Sequence, residues 1–385
     1  MDTRDILARL IGFETVSALP NRALIDWVQG LLADAGIAAQ VIPDATGHKA
    51  NLYASVGDGA GVMLSGHTDV VPVDGQAWTV PPFALSQGNG RYYGRGVCDM
   101  KGFVACALAM MVTAAGRQAA GRRLKTPLHL ALSYDEEVGC IGVRSLIDML
   151  AAAPVKPAMC IVGEPTGMLV ATGHKGKIGR RATFTGREGH SALAPLAVNA
   201  LHMGADFIGA VRALQARVTA TGHRDGDYDV PYSTLHVGRM NGGTALNIVP
   251  NLCTVDYEVR NLAEDDPQLL LAELATAAAG IVAATGAAEA GVSYVELMQY
   301  PGLGTPTDAE VVRFVNTLTG ANGTIKVAYG TEGGLFSARL GIPTVICGPG
   351  SMSQGHKPDE WISLEQMARC EVMLAVLLDR LEAGL

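Results

Sequence analysis

The sequence predicts an open α/β sheet interrupted by a smaller α+β layer, and three observations carry that prediction. At 385 residues the chain exceeds the size at which one hydrophobic core usually stops growing. Up to about residue 172, short apolar runs alternate with stretches of helical periodicity, and polar residues gather where the apolar runs end. After Thr172 the rhythm changes to strand, helix, two strands and helix, and from about Pro301 the first pattern resumes. The expected division is therefore 1–174 and 297–385 for the sheet, with 175–296 inserted.

Thr3 can cap a first helix whose Ile6, Leu7, Leu10 and Ile11 fall on one face. A second helix is expected over 22–35, stopped by Gly36. Strands follow at 39–42, 51–56 and 61–65, the last delivering Gly66-His-Thr-Asp-Val-Val-Pro72 at its carboxyl end. A loop rich in Pro and Gly leads to Tyr93-Gly-Arg-Gly-Val-Cys-Asp-Met-Lys-Gly102 and an apolar helix over 103–115. Residues 127–132 read as a buried strand ending at Asp135, Glu136 and Glu137. A helix from near Gly142 and a strand over 158–162, ending in Gly163-Glu-Pro-Thr166, complete the first part. The inserted layer has expected strands at 177–185, 233–237 and 254–259, a helix over 199–214, and another from about Pro267 in the alanine-rich segment 269–290. Then come a helix over 308–318, a strand at 326–327, a helix over 334–340 and a strand over 344–347. The motif Ser353-Gln-Gly-His-Lys-Pro-Asp359 and a helix from about Leu364 close the chain.

Composition excludes several classes. A net charge of −8 with no basic block argues against nucleic acid as a partner. The seven cysteines are scattered, with no Cys-x-x-Cys pair, and are expected to be reduced, buried thiols of a cytoplasmic protein. The N-terminus is expected to be a charged helix start and not a signal peptide. No stretch reaches about 18 uninterrupted apolar residues, so no membrane partner is expected.

Chemistry is expected at the strand ends. Adjacent side chains there point in different directions, so Glu136 and Glu137 can take two roles, one facing a metal and one facing a substrate. The plain alternative is a solvated acidic turn that caps the next helix. His67, Asp99, Glu137 and Glu164 come from four strand-end segments, and His356 adds a second imidazole from near the C-terminus. Two imidazoles with three carboxylates suit zinc, cobalt or manganese and would serve calcium poorly. Two divalent ions, three carboxylates and a bridging hydroxide sum to neutrality. Asp69, two residues beyond His67 on an extended segment, can accept an imidazole N–H and set the tautomer. Pro165 holds Glu164 extended. Each of these residues alone has an ordinary structural reading; gathered on separate strand ends of one sheet they point to a metal centre.

Five segments, Gly66-His-Thr-Asp-Val-Val-Pro72, Gly94-Arg-Gly-Val-Cys-Asp-Met-Lys-Gly102, Asp135-Glu-Glu-Val-Gly139, Gly163-Glu-Pro-Thr166 and Gly355-His356, resemble in order the motifs of the co-catalytic zinc amidohydrolases. That family includes acetylornithine deacetylase, succinyl-diaminopimelate desuccinylase, aminoacylase and glutamate carboxypeptidase. The resemblance implies an aminopeptidase-like α/β/α catalytic domain interrupted by an α+β lid that mediates homodimerisation. It implies two zinc ions, one on His67 and Glu164 and the other on Glu137 and His356, bridged by Asp99 with a cis peptide bond after it. Glu136 is then the general base on the bridging water, returning the proton to the leaving amine. In the lid, His190 of Gly186-Arg-Glu-Gly-His-Ser-Ala192 would reach the partner subunit's active site as a donor to the carbonyl oxygen. Asn247 and Arg260 would bind the substrate's α-carboxylate, which a guanidinium can grip bidentately. Asp135 is left without a chemical role.

The segments Gly330-Thr-Glu-Gly-Gly-Leu-Phe336 and Cys347-Gly-Pro-Gly-Ser-Met352 look more like the branch that cleaves acetylornithine than the desuccinylase branch, where Ser-Asp-Gly is expected. Glu332 could pair with the δ-ammonium of ornithine and repel a succinyl group, or stand at a helix start. The expected substrate is a small N-acyl amino acid, N-acetyl-L-ornithine first, with N-succinyl-diaminopimelate or a broader range as alternatives. A complete ligand set beside Glu136 argues against an inactive metal-bound binding protein.

Overall fold

Nine strands of the computed structural model, which describes Met1–Leu385, form one mixed sheet. This sheet belongs to a unit made of Met1–Gly173, Leu303–Val327 and Thr331–Leu385; His174–Gly302 with Ala328–Gly330 forms a second unit. At the centre of the sheet, Leu128–Ser133, Val62–His67, Met159–Pro165 and Thr344–Gly348 are adjacent and parallel. All four are buried along their whole length. Parallel strands covered on both faces need apolar side chains on both, which is why these segments read as near-continuous apolar runs. Ala50–Val56 and Ala39–Pro43 extend the sheet antiparallel on one side; Val170–His174, Leu303–Gly304 and Thr324–Val327 extend it on the other.

The two faces are covered by different helices. Thr3–Ile11, Lys101–Ala119 and Leu364–Ala383 pack together around Phe103, Val104, Leu108, Leu374 and Leu378. Gly66 and Gly163 turn toward this layer, and a Cβ at Gly163 would lie 1.9 Å from the Phe103 ring. By strand alternation their neighbours His67 and Glu164 turn to the other face, against which Val143–Ala152 and Gly333–Leu340 pack. The sheet thus points its ligand-type residues away from the larger core.

In the second unit four antiparallel strands run in the order Thr234–Gly242, Leu252–Asn261, Gly176–Thr185, Gly291–Tyr300. Ala200–Thr221 and Pro267–Ala284 pack against them around Phe184, Phe207, Val255, Tyr257 and Leu274. Asn199 caps the first of these helices, accepting from Leu201 N–H at 2.9 Å.

Two expectations are corrected. Asp2, not Thr3, caps the first helix, accepting from Asp5 N–H at 2.8 Å. The alanine-rich helix ends at Ala284, and Gly291–Tyr300 forms an edge strand that was not expected; Val170–His174 is a second unexpected strand, inside the large sheet. Two helices, Lys101–Ala119 and Pro267–Ala284, are long and apolar enough to cross a membrane by length and composition alone. In the first, that apolarity serves burial: Phe103, Val104, Leu108 and Met111 are core residues.

Candidate metal centre

The site stands at the carboxyl ends of the parallel strands, within the first unit. His67 ends Val62–His67, Glu164 lies next to the end of Met159–Pro165, and Glu136 and Glu137 follow Leu128–Ser133. Asp99 comes from the turn before Lys101–Ala119, and His356 from the loop before Trp361–Ser363.

Asp99 joins the set. Its Oδ1 is 3.1 Å from His67 Nε2, and its Oδ2 is 3.0 Å from His356 Nε2. Glu164 Oε1 lies 3.5 Å from His67 Nε2, and Glu137 Oε2 lies 3.1 Å from His356 Nε2. Two groups, each an imidazole and a carboxylate, therefore share Asp99. Adjacent ligands of a tetrahedral zinc with bonds near ~2.05 Å stand roughly 3.3 Å apart. The donor spacing and the nitrogen–oxygen donor set fit one divalent ion per group. The Asp99–Met100 peptide bond is cis.

Electrostatics point the same way. Burial pushes the Glu136 and Glu164 carboxyls well above the usual range and Glu137 up to about 7, with neighbouring carboxylates adding to the effect. Burial also opposes ionisation of Asp99, but hydrogen bonds from His356 and His67 outweigh it and hold Asp99 low. For His67, burial disfavours the imidazolium, yet Asp69 and Asp99 raise its proton affinity well above the ordinary value. Asp99 and Glu137 push His356 up to about 10. The pocket holds excess negative charge that a cation relieves, and protons compete with metal for it.

Asp69 does more than hold a tautomer. His67 Nδ1 is 2.9 Å from the Asp69 carbonyl oxygen and 3.5 Å from its Oδ1, so the main chain is the closer partner. Donation from Nδ1 leaves the Nε2 lone pair facing Asp99 and Glu164. The Asp69 carboxylate accepts from Ser17 Oγ at 2.6 Å and from the backbone N–H groups of Glu136 at 3.1 Å and Glu137 at 3.3 Å. It thereby fixes both glutamates. Asp135 anchors the same loop: Lys49 Nζ donates to Asp135 Oδ1 and to the Ser17 carbonyl, both at 2.5 Å. The three acids do not cap the next helix, which starts after Gly142 without a side-chain cap. Glu136 accepts from Cys140 Sγ at 3.3 Å, and its carboxylate lies with donor atoms of His67 and Glu164, all within 4.8 Å of one another.

The other expected site residues fall elsewhere. Glu332 is 1 % exposed, and its Oε2 is 3.5 Å from Ser65 Oγ, one layer beneath His67 on the same strand face. Its Oε1 has no partner, burial pushes its pKa up to about 7, and it makes no cap bond to its own helix. The sequence shows the charge of Glu332 but not this depth. His190, Asn247 and Arg260 lie in the second unit. His190 pairs with Ile248 across a two-stranded ribbon, beside Asn247, and its Nδ1 accepts from Ala192 N–H at 3.1 Å. Arg260 donates to Glu258 Oε1 at 2.9 Å and to the Tyr300 hydroxyl at 3.0 Å. Sequence reasoning passed over Lys49, Cys140, Arg95 and Glu360, which act on side chains or backbone amides and need no motif spacing to do so.

Comparison with known proteins identifies the family. Residues 63–380 match the model of peptidase family M20/M25/M40. The acetylornithine deacetylase of Myxococcus xanthus is 35 % identical over 379 residues, covering 97 % of this chain and 95 % of that protein. That of Klebsiella pneumoniae is 33 % identical, covering 93 % and 92 %. Among solved structures, an M20 family metallo-carboxypeptidase from Sulfolobus solfataricus superposes with a TM-score of 0.77 at 20 % identity over 100 % of both chains. A dinuclear metal-binding M20 peptidase from Bacillus subtilis gives 0.66 at 15 % identity over 98 % of each. The chain therefore belongs to peptidase family M20/M25/M40 and is a metal-dependent hydrolase.

Proposed function

We propose that the protein is a two-metal deacylase that hydrolyses N-acetyl-L-ornithine to acetate and L-ornithine in arginine biosynthesis. The observation that carries the two-metal reading is Asp99, which offers one oxygen toward each imidazole. His67 and Glu164 would hold one ion, Glu137 and His356 the other, and Asp99 both. Zinc suits this donor set best, with cobalt or manganese as substitutes. When bound, the ions supply an acidified water and an electrophilic contact for the amide carbonyl. Glu136 takes the proton of the attacking water and passes it to the departing nitrogen. Its half-buried position suits that task, because burial raises its affinity for the proton it must hold between the two transfers. Asp69, through the Glu136 N–H, and the Cys140 thiol keep its carboxylate in place.

The second unit would act as lid and dimerisation module of a cytoplasmic homodimer, with His190 donating to the carbonyl oxygen and Asn247 and Arg260 receiving the α-carboxylate. Exposed apolar side chains support a partner surface there: Leu193, Leu196, Leu246 and Ile248 all lie in the open.

The relatives' names support acetylornithine, while the enclosure of Glu332 favours a second reading, a broader N-acyl-amino-acid hydrolase. A panel of N-acetyl-L-ornithine, N-acetyl-L-methionine and N-succinyl-diaminopimelate separates the two. The expected result is a kcat/KM for acetylornithine at least about tenfold above the others, a difference of roughly 1.4 kcal/mol in transition-state stabilisation. Equal values for the two acetyl substrates would select the broader activity.

A further inference from the structure

We propose that Glu360, with Arg95, is a positioning residue for the metal centre: its buried carboxylate holds the turn that presents Asp99 to both imidazoles. This rests on the two-metal reading above and concerns residues that contact no ligand side chain in it.

The geometry begins with strand pairing. Trp361–Ser363 pairs antiparallel with Arg91–Tyr93, and Gly94 N–H donates to the Glu360 carbonyl at 3.1 Å. That register sets Glu360 at the mouth of the turn running from Gly94 to Asp99. Its side chain is 1 % exposed. Oε1 accepts from Cys98 N–H at 2.9 Å and Asp99 N–H at 3.1 Å; Oε2 accepts from Gly96 N–H at 3.1 Å and Arg95 Nη1 at 2.7 Å. Several backbone N–H groups converging on one point form an anion-binding concavity, and here the anion is built into the chain. Gly96 is required for the bend: its φ is +82°, and a Cβ would come within 2.6 Å of Val70 Cγ1.

The same pair binds the neighbouring loops. Arg95 Nη2 donates to Gln76 Oε1 at 2.5 Å and to the Pro72 carbonyl at 3.3 Å, while its guanidinium lies 4.9 Å from the Trp78 ring centre. Gln76 Nε2 in turn donates to the His356 carbonyl at 3.1 Å. Asp359 accepts from Thr79 N–H at 2.8 Å and from Thr79 Oγ1 at 2.7 Å. Glu360 therefore sits where the loops carrying Asp99 and His356 meet. Glutamine there has the same shape but presents an NH2 group to N–H donors on one side or the other, whichever way it turns.

The test measures zinc dissociation constants of the metal-stripped protein by chelator competition, on samples whose circular dichroism matches wild type. Glu360→Gln is expected to weaken both zinc ions by about 10–100-fold, the usual effect of losing an outer partner of a ligand. Both constants within twofold of wild type, with only the melting temperature lowered, would make Glu360 a purely structural ion pair and overturn the proposal. Asp99→Asn is the separate control: if both ions stay tight in that variant, the two-metal reading itself fails. Amide exchange of Gly96, Cys98 and Asp99 in the wild-type protein decides the matter if Glu360→Gln does not fold. Protection without zinc is expected, and protection that appears only on adding zinc would overturn the proposal.

Discussion

Glu136 and Glu137 are chemically identical neighbours, and position alone separates them. Glu137 lies against His356, whereas Glu136 stands with His67 and Glu164 and is held by Cys140 and, through its backbone, by Asp69. If Glu136 is the base and not a ligand, Glu136→Gln should still bind two zinc equivalents while kcat falls by about 10²–10⁴-fold, as when a general base is lost. Metal analysis of the dialysed variant beside its kcat checks both halves, and loss of one zinc would move Glu136 into the ligand set. The candidate ligands were legible in the sequence because a metal restricts its donors to imidazoles and carboxylates, which strand ends then display. Glu360 and Arg95 were not, since a backbone N–H donates to any oxygen the fold brings to it. Glu332 shows the opposite difficulty: its charge and helix-start position suggest an exposed role, but Ser65 and the strands bury it.

The elements follow the same division. The central parallel strands were legible because burial on both faces demands uninterrupted apolar runs. Gly291–Tyr300 was not, because it is an edge strand with Val295 and Leu297 exposed and a register shift between Glu296 and Met298, so its alternation marks no single buried face. It also follows an alanine-rich helix whose composition hides the boundary at Ala284. Val170–His174 is short and contains Gly173, with neither alternation nor length to identify it. Packing of strand against helix sets a further constraint at Gly163, one residue before Glu164. A Cβ there would lie 1.9 Å from the Phe103 ring on Lys101–Ala119. Gly163→Ala should therefore cost about 1–3 kcal/mol from overpacking. Adding Phe103→Leu should recover part of that loss, because both changes act on one contact. Urea denaturation of the two single variants and the double variant measures the coupling; strict additivity would show that the strand and helix separate to admit the methyl group.

At the scale of the molecule, the complete donor set lies in one unit and the proposed carbonyl donor His190 in the other. His190 is exposed on a ribbon whose neighbours Leu193, Leu196 and Leu246 are exposed too, a costly arrangement for a free surface and an ordinary one for an interface between copies. If His190 serves the site of a partner subunit, complementation follows from symmetry. His190→Ala and Glu136→Gln should each be nearly inactive alone. In a mixed dimer of the two, one site receives both mutations and the other neither, so one site works. An equal mixture of freely exchanging subunits places half of its dimers in that mixed form, and about a quarter of wild-type activity should return. If both residues serve the site of their own chain, every site in the mixture carries one defect and no activity returns. Native mass spectrometry of the mixture, with one variant carrying an added tag, establishes that mixed dimers form, so a silent mixture of mixed dimers would place His190 and Glu136 in the same subunit.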